Sequence, residues 1–217
     1  QVLGRMRAIK TETHLLSEFD YVILVQADHS KLIMKFPDWE VIQTEAHLIF
    51  DSFELGNSLF IKKIICWLLK NSRYYRYKLI KSFRYFNFYQ KLPRHYLKKL
   101  YWGRKYGKYS LLTNCQINCD SIGEGLYIEH TPVAINKFCI IGKNLRLVGN
   151  NCIGGGRGGV PKIGNNVSMG YGAIVIGDVT IADNVTIGAG AIVTRSITKE
   201  GAIVVGVNQL LPQKVKR

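Results

Sequence analysis

Residues 161–193 read PKIGNNVSMGYGAIVIGDVTIADNVTIGAGAIV, and an aliphatic residue returns at every sixth position: Ile163, Met169, Val175, Ile181, Ile187 and Val193. Glycine directly follows Ile163, Met169 and Ile187. Four places after five of these residues stands a small or β-branched one: Val167, Ala173, Val179, Val185 and Ala191. A period of six matches neither the 3.6-residue turn of an α-helix nor the two-residue alternation of a strand. It describes a short strand and a turn, repeated, with one side chain per repeat directed at a common axis. Glycine at the next position suits a sharp corner, because it has no Cβ to restrict φ. Stacked units of this kind form a parallel β-helix whose core is a ladder of aliphatic side chains.

Upstream the same beat passes through Ile122, Ile128, Ile135, Ile141, Leu147 and Ile153. Two steps are irregular, seven residues from Ile128 to Ile135 and ten from Ile153 to Ile163. They imply a small insertion and a loop. Twelve repeats at about three per coil predict roughly four coils. Of 21 glycines, 17 lie between Gly123 and Gly206, so the chain changes character near residue 120.

The amino-terminal half follows another rule. Residues 58–69, 72–86 and 91–100 read as short helices, the last entered through Pro93. Tyr21–Gln26 (YVILVQ) has the composition of a strand. Three segments are therefore expected: residues 1–48 of unclear role, a basic aromatic-rich helical region over 49–112, and the β-helix with a tail over 113–217.

Charge is unevenly placed. The net value is +15, yet residues 62–108 hold fifteen Lys or Arg and no Asp or Glu, so the rest is neutral. Thirteen of the 24 aromatic residues also lie in that segment. Such a region attracts something anionic (nucleic acid, a lipid surface or a pyrophosphate-linked substrate), or else packs its rings and turns its bases to solvent. No nucleic-acid-binding motif accompanies it, which leaves peripheral contact with an anionic membrane through residues 62–108 as the partner expectation. The cysteines Cys66, Cys115, Cys119, Cys139 and Cys152 show no metal or disulfide spacing, and no signal-like segment opens the chain. A cytoplasmic protein is expected, at most at the inner face of the membrane.

Of five histidines, His130 alone lies within the repeats, at the seven-residue step in IEHTPV. A side chain displaced from the core ladder at a widened corner is presented outward. A histidine side chain, with an ordinary pKa of about 6.5, can take a proton from a hydroxyl at neutral pH.

From Ile122 to Leu211 the chain resembles the left-handed β-helix acyltransferases of the hexapeptide-repeat superfamily. The likeness is to the serine acetyltransferase-like branch and to O-acetyltransferases of bacterial surface polysaccharides. It rests on GEGLYIEH (123–130), IGKN (141–144), IGGG (153–156), PKIG (161–164), GDV (177–179), IGAGAIV (187–193) and IVVGV (203–207). The resemblance implies an all-β left-handed parallel β-helix behind an N-terminal mainly α-helical region. It implies a homotrimer with its active site in the groove between adjacent prisms, acetyl-CoA as co-substrate and no metal. His130 would be the general base, with Glu129 beside it. The pantetheine arm would pass Gly154, Gly155, Gly170, Tyr171, Gly188 and Ala189. Arg157, Lys162 and the tail residues Lys214, Lys216 and Arg217 would meet the CoA phosphates.

Two departures bear on the acceptor. Serine acetyltransferases keep an aspartate about fifteen residues before the catalytic histidine, where this chain reads Asn114-Cys-Gln-Ile-Asn118. They also carry a histidine in the loop before Pro-Lys, where Val160 stands here. A hydroxyl of a sugar or surface-polysaccharide precursor is therefore the expected acceptor, with serine as the alternative. A metal-dependent hydratase on the same fold needs three imidazoles, which one histidine per repeat domain does not supply. A non-catalytic solenoid is the remaining alternative.

Overall fold

The computed structural model describes residues 21–25, 31–35, 45, 49, 59–92, 94–118 and 121–211. Its centre is a parallel β-helix of three sheets. The first sheet stacks Cys115–Ile117, Val133–Ile135, Asn151–Gly154, Ile174–Ile176 and Ile192–Val193. The second stacks Ser121–Ile122, Ile140–Ile141, Lys162–Ile163 and Thr180–Ile181, continued by a bridge from Ile181 to Ile197. The third stacks Tyr127–Ile128, Arg146–Leu147, Ser168–Met169, Thr186–Ile187 and Ile203–Val205. Gln209–Leu211 folds back antiparallel on Ile203–Val205 and closes that end.

The inward residues form three columns: Ile117, Ile135, Ile153, Val175, Val193; then Ile122, Ile141, Ile163, Ile181, Ile197; then Ile128, Leu147, Met169, Ile187, Val204. Every one is buried. Five turns result, not the expected four. Ile117, Ile197 and Val204 complete the columns through steps that are not six residues long, so a search for strict periodicity passes over them.

The corner between the second and third sheets is tied by asparagine. Asn144, Asn166 and Asn184 hold φ of 57°, 56° and 60°, a left-handed conformation that asparagine tolerates better than most residues. Asn144 Nδ2 donates to Asn166 Oδ1 at 2.8 Å, and Asn166 Nδ2 to Asn184 Oδ1 at 3.0 Å. The corner residues thus bond to each other along the axis.

Three helices precede the coils: α1 (Leu59–Leu68), α2 (Ser72–Gln90) and α3 (Tyr96–Thr113). The third begins later and runs further than the expected 91–100. Gly103 and Gly107 lie inside it, and at Gly103 a Cβ would come within 2.8 Å of the Phe86 ring. That glycine permits the close approach of α2 and α3 and does not end the helix. The expected strand at Tyr21–Gln26 is present as Tyr21–Val25, paired antiparallel with Lys31–Lys35.

The helices cap the first coil, whose outer backbone edge has no neighbouring strand to bond. Tyr106 Oη donates to the Ile117 carbonyl at 2.8 Å and accepts from the Ile117 N–H at 2.9 Å. Ser110 Oγ donates to the Cys115 carbonyl. Arg84 donates to the carbonyls of Ile122 (2.7 Å) and Gly123 (2.6 Å) and pairs with Glu45 at 2.6 Å. Glu45, 1% exposed, also accepts from the Leu126 N–H at 3.1 Å. Arg84→Met leaves a buried carboxylate unpaired and two carbonyls open, a loss of about 3–5 kcal/mol. A denaturant midpoint lowered to that extent is expected, and an unchanged midpoint would show that the cap is dispensable.

Candidate active site

His130 stands on the corner where the chain passes from the third sheet to the first, and its side chain is exposed. In the next coil the same corner is Val148-Gly149-Asn150, and the backbone there presses against His130. Gly149 has φ of 140°, and a Cβ on it would lie 2.7 Å from His130 Cβ. Glycine at 149 is required both by its φ and by this close approach.

A buried polar residue fixes that turn. Asn151 occupies a ladder position where other coils place Val133, Ala173 or Ala191, and it is buried. Its Oδ1 accepts from the Gly149 N–H at 2.8 Å, and its Nδ2 donates to the carbonyls of Gly170 (2.7 Å) and Ala173 (3.2 Å). The carboxamide therefore joins the corner beneath His130 to the corner of the following coil. The backbone continues the line: Gly172 N–H donates to Gly149 O and Gly190 N–H to Tyr171 O, each at 2.8 Å.

Four of the expected cofactor residues share this corner with His130. Gly170-Tyr171 and Gly188-Ala189 follow it in successive coils, with Tyr171 and Ala189 exposed. A Cβ on Gly170 would meet Ala189 N at 2.5 Å, so the stacking itself demands glycine there. Gly154 and Gly155 stand on a different corner, between the first and second sheets. Gly154 has room for a side chain, since a Cβ would meet nothing nearer than Cys152 Sγ and Ile176 Cγ1 at 3.7 Å. The fold gives no packing reason for that glycine. After it, Gly156 and Gly159 bond to each other, leaving Arg157-Gly158 as the tip of a tight two-residue turn. The ten-residue step is thus a small hairpin and not an open loop. Lys162 is exposed at the start of a second-sheet strand. Lys214, Lys216 and Arg217 lie outside the described residues.

Glu129 carries a partner that no local pattern announces. Arg146, across from Tyr127 in the next coil, donates through Nη2 to Glu129 Oε2 at 2.9 Å. Among the described residues the His130 imidazole has no hydrogen-bond partner, and the neighbouring Glu129 carboxylate accepts from Arg146 instead. Arg76 of α2 is also buried near Tyr127 and Glu129. Desolvation holds its guanidinium below the ordinary arginine range, with Tyr127 opposing, and its Nη1 donates to Ser72 Oγ at 3.2 Å. Among the described residues no three His, Cys, Asp or Glu side chains stand together as a metal site.

Residues 161–195 match the family described as bacterial transferase hexapeptide (six repeats). That stretch is a hexapeptide-repeat segment within the β-helix. No curated protein matches it in sequence. Among solved structures this hexapeptide-repeat chain is similar to the serine acetyltransferase of Brucella abortus strain S19, at 18% identity and a TM-score of 0.63 over 81% of this chain and 69% of that one. The Neisseria gonorrhoeae serine acetyltransferase gives 22% identity and a TM-score of 0.61, over 80% and 67%. A serine acetyltransferase in complex with CoA gives 19% and 0.60, over 79% and 68%. At these identities the likeness establishes the shared fold, which includes part of the helical region.

Gly149→Ala adds strain at a left-handed φ and pushes against His130, at an expected cost of about 1–3 kcal/mol. A urea titration together with the His130 imidazole NMR signals tests this. Unshifted signals with wild-type stability would mean that Gly149 does not position the histidine.

Proposed function

We propose that the chain is an acetyl-CoA-dependent O-acetyltransferase in which His130 is the general base. The observation that carries this reading is the alignment of an exposed histidine with Gly170, Tyr171, Gly188 and Ala189 on one corner of a hexapeptide-repeat transferase fold. An acceptor hydroxyl gives its proton to the imidazole while its oxygen attacks the thioester carbonyl carbon. The carbon–sulfur bond then breaks, and the imidazolium returns the proton to the departing thiolate. Backbone N–H groups along the glycine corner are suited to meet the oxyanion.

The division of the cofactor residues between two corners supports a homotrimer. The first sheet lies between those corners, and its outward side chains include Ala134, Cys152, Ile174 and Ile192 above Gln116 of the first strand. The second sheet instead turns Ser121, Lys162 and Thr180 outward, beside Ile140, and the third Tyr127, Arg146, Ser168 and Thr186, beside Ile203. Packing three apolar first sheets about an axis would set the His130 corner of one chain opposite the Gly154 corner of the next. The thioester arm would then run between chains, past Gly154 and Gly155 on one side and Gly170 to Ala189 on the other. Arg157 and Lys162 would lie towards the phosphates.

For the acceptor, the structural likenesses favour serine over a saccharide, because the similar structures are serine acetyltransferases, two of them described as complexes with serine. One observation keeps the saccharide reading as the second: the carboxylate next to His130 is already paired with Arg146, so it is poorly placed to receive serine's ammonium group.

Thiol release from acetyl-CoA, measured with serine and a panel of saccharides, decides the acceptor. His130→Ala is expected to lower kcat by about 10²–10⁴-fold with the oligomer intact. Near-normal turnover by that variant would remove His130 as the base. Gly154→Val should fold normally and raise the KM for acetyl-CoA. An unchanged KM would route the arm elsewhere.

A further inference from the structure

The basic segment divides its charges in an unequal way. On α2 the lysines serve packing: Lys78 lies 5.1 Å from the Tyr74 ring centre and Lys81 5.9 Å from that of Tyr77, and desolvation holds both below the ordinary lysine range. On α3, Lys98 lies 5.6 Å from the Tyr89 ring centre and Lys105 is half-buried, whereas Lys99, Arg104 and Lys108 are exposed. The helix packs on α2 through Trp102, stacked on Tyr85 at 4.3 Å, and Tyr106, stacked on Phe86 at 5.9 Å. Its opposite face follows helical spacing through Leu97, Leu100, Tyr101, Arg104, Lys108 and Leu111. Leu97 is 78% exposed, Leu100 57%, Tyr101 55% and Leu111 85%. A single exposed leucine is ordinary, but three of them with Tyr101 on one face over about four turns, flanking Arg104 and Lys108, are not.

We propose that this outward face of α3 is a docking surface for an anionic lipid bilayer, with the helix lying in the plane of the interface. The occupant follows from the charge. Residues 62–108 contain no carboxylate, so a second copy of this face would set Arg104 and Lys108 against their own kind with nothing to neutralise them. A bilayer surface rich in anionic headgroups supplies the opposite charge and, just beneath it, the apolar region that the leucines need. Tyr101 suits the boundary, with an apolar ring and a polar tip, and Lys105 lies 5.5 Å from the centre of that ring. Nucleic acid would satisfy Arg104 and Lys108 but would leave Leu97, Leu100 and Leu111 in water. Among the described residues no helix is long and apolar enough to cross a membrane. The inference stands on the face of α3 alone and does not rest on the acetyltransferase reading.

The test is sedimentation of the full chain with vesicles of phosphatidylcholine alone and of phosphatidylcholine mixed with phosphatidylglycerol. Binding is expected to the mixed vesicles only, weakening as salt rises. Arg104→Gln with Lys108→Gln should weaken it about twenty-five-fold, since each base near such a surface is worth about a factor of five. Leu97→Asn with Leu100→Asn should weaken it about tenfold or more. These positions are exposed, so melting curves should not change. Absence of binding to mixed vesicles, or equal binding to neutral ones, would overturn the proposal. So would leucine variants that bind like the wild type, or that change only the sedimentation-equilibrium mass without lipid, which would make the stripe a self-association face. Tighter retention on a mixed-sequence RNA than on the mixed vesicles at the same salt would overturn it too.

Discussion

A solenoid of short parallel strands satisfies its backbone only by stacking, so its first coil always carries one edge of unpaired N–H and C=O groups. Here that edge is closed by side chains from helices, namely Tyr106, Ser110, Arg84 and the Glu45 that Arg84 holds. Burying Glu45 is tolerable because Arg84 and the Leu126 N–H both serve it, and the Arg84 guanidinium shares itself between that carboxylate and two carbonyls. The helical region is thereby bonded to the coil that carries His130, two residues beyond the Ile128 rung. Loss of the cap would loosen the coil on which the proposed chemistry depends.

Above the cap, one repeating backbone supports corners of different character. Where asparagine recurs at left-handed φ, side chains bond from coil to coil and fill the surface. Where glycine recurs, the bonds run through backbone N–H and C=O groups, and the surface is left low. The second kind of corner suits a narrow ligand laid along the axis. Asn151 is the exception that links the two patterns: it places an asparagine's bonding capacity inside the ladder, and so stiffens the corner beside His130 without occupying its outer surface.

Much of this was legible in the sequence because a rung every six residues is a local rule. The columns from Ile122 to Val193 could be read directly, as could the displacement of His130 at a seven-residue step. Ile117, Ile197 and Val204 escaped because the turns beside them have other lengths. The extent of α3 escaped because glycine reads as a breaker, whereas at Gly103 it answers to the approach of Phe86. Interactions made at long range left no local trace. Arg84 and Glu45 are 39 residues apart, Leu126 and Glu45 are 81 apart, and the pairing of Arg146 with Glu129 depends on which residues a coil brings into register. Asn151 was hidden for a related reason, since a polar residue at a ladder position looks like a lapse in the pattern until its three hydrogen bonds are seen.

The separation of Gly154 from Gly170 and Gly188 by the width of a sheet has a further consequence for how such a site can be built. The described core of the prism is packed with buried aliphatic side chains, so a small molecule meets it at its corners and flat faces. A corner alone covers one side of a ligand, and an exposed imidazole on it stays open to water. Exclusion of water, which strengthens the dipoles that meet an oxyanion, requires a second wall. The chain provides one without any extra domain if the apolar first sheet, bearing Ile174 and Ile192, packs against its own copies. Assembly then covers apolar surface and, in the same step, sets the glycine corner of one chain against that of another. On this argument the two-residue hairpin at Arg157-Gly158 also gains a role, because it projects from the corner that would face the neighbouring histidine.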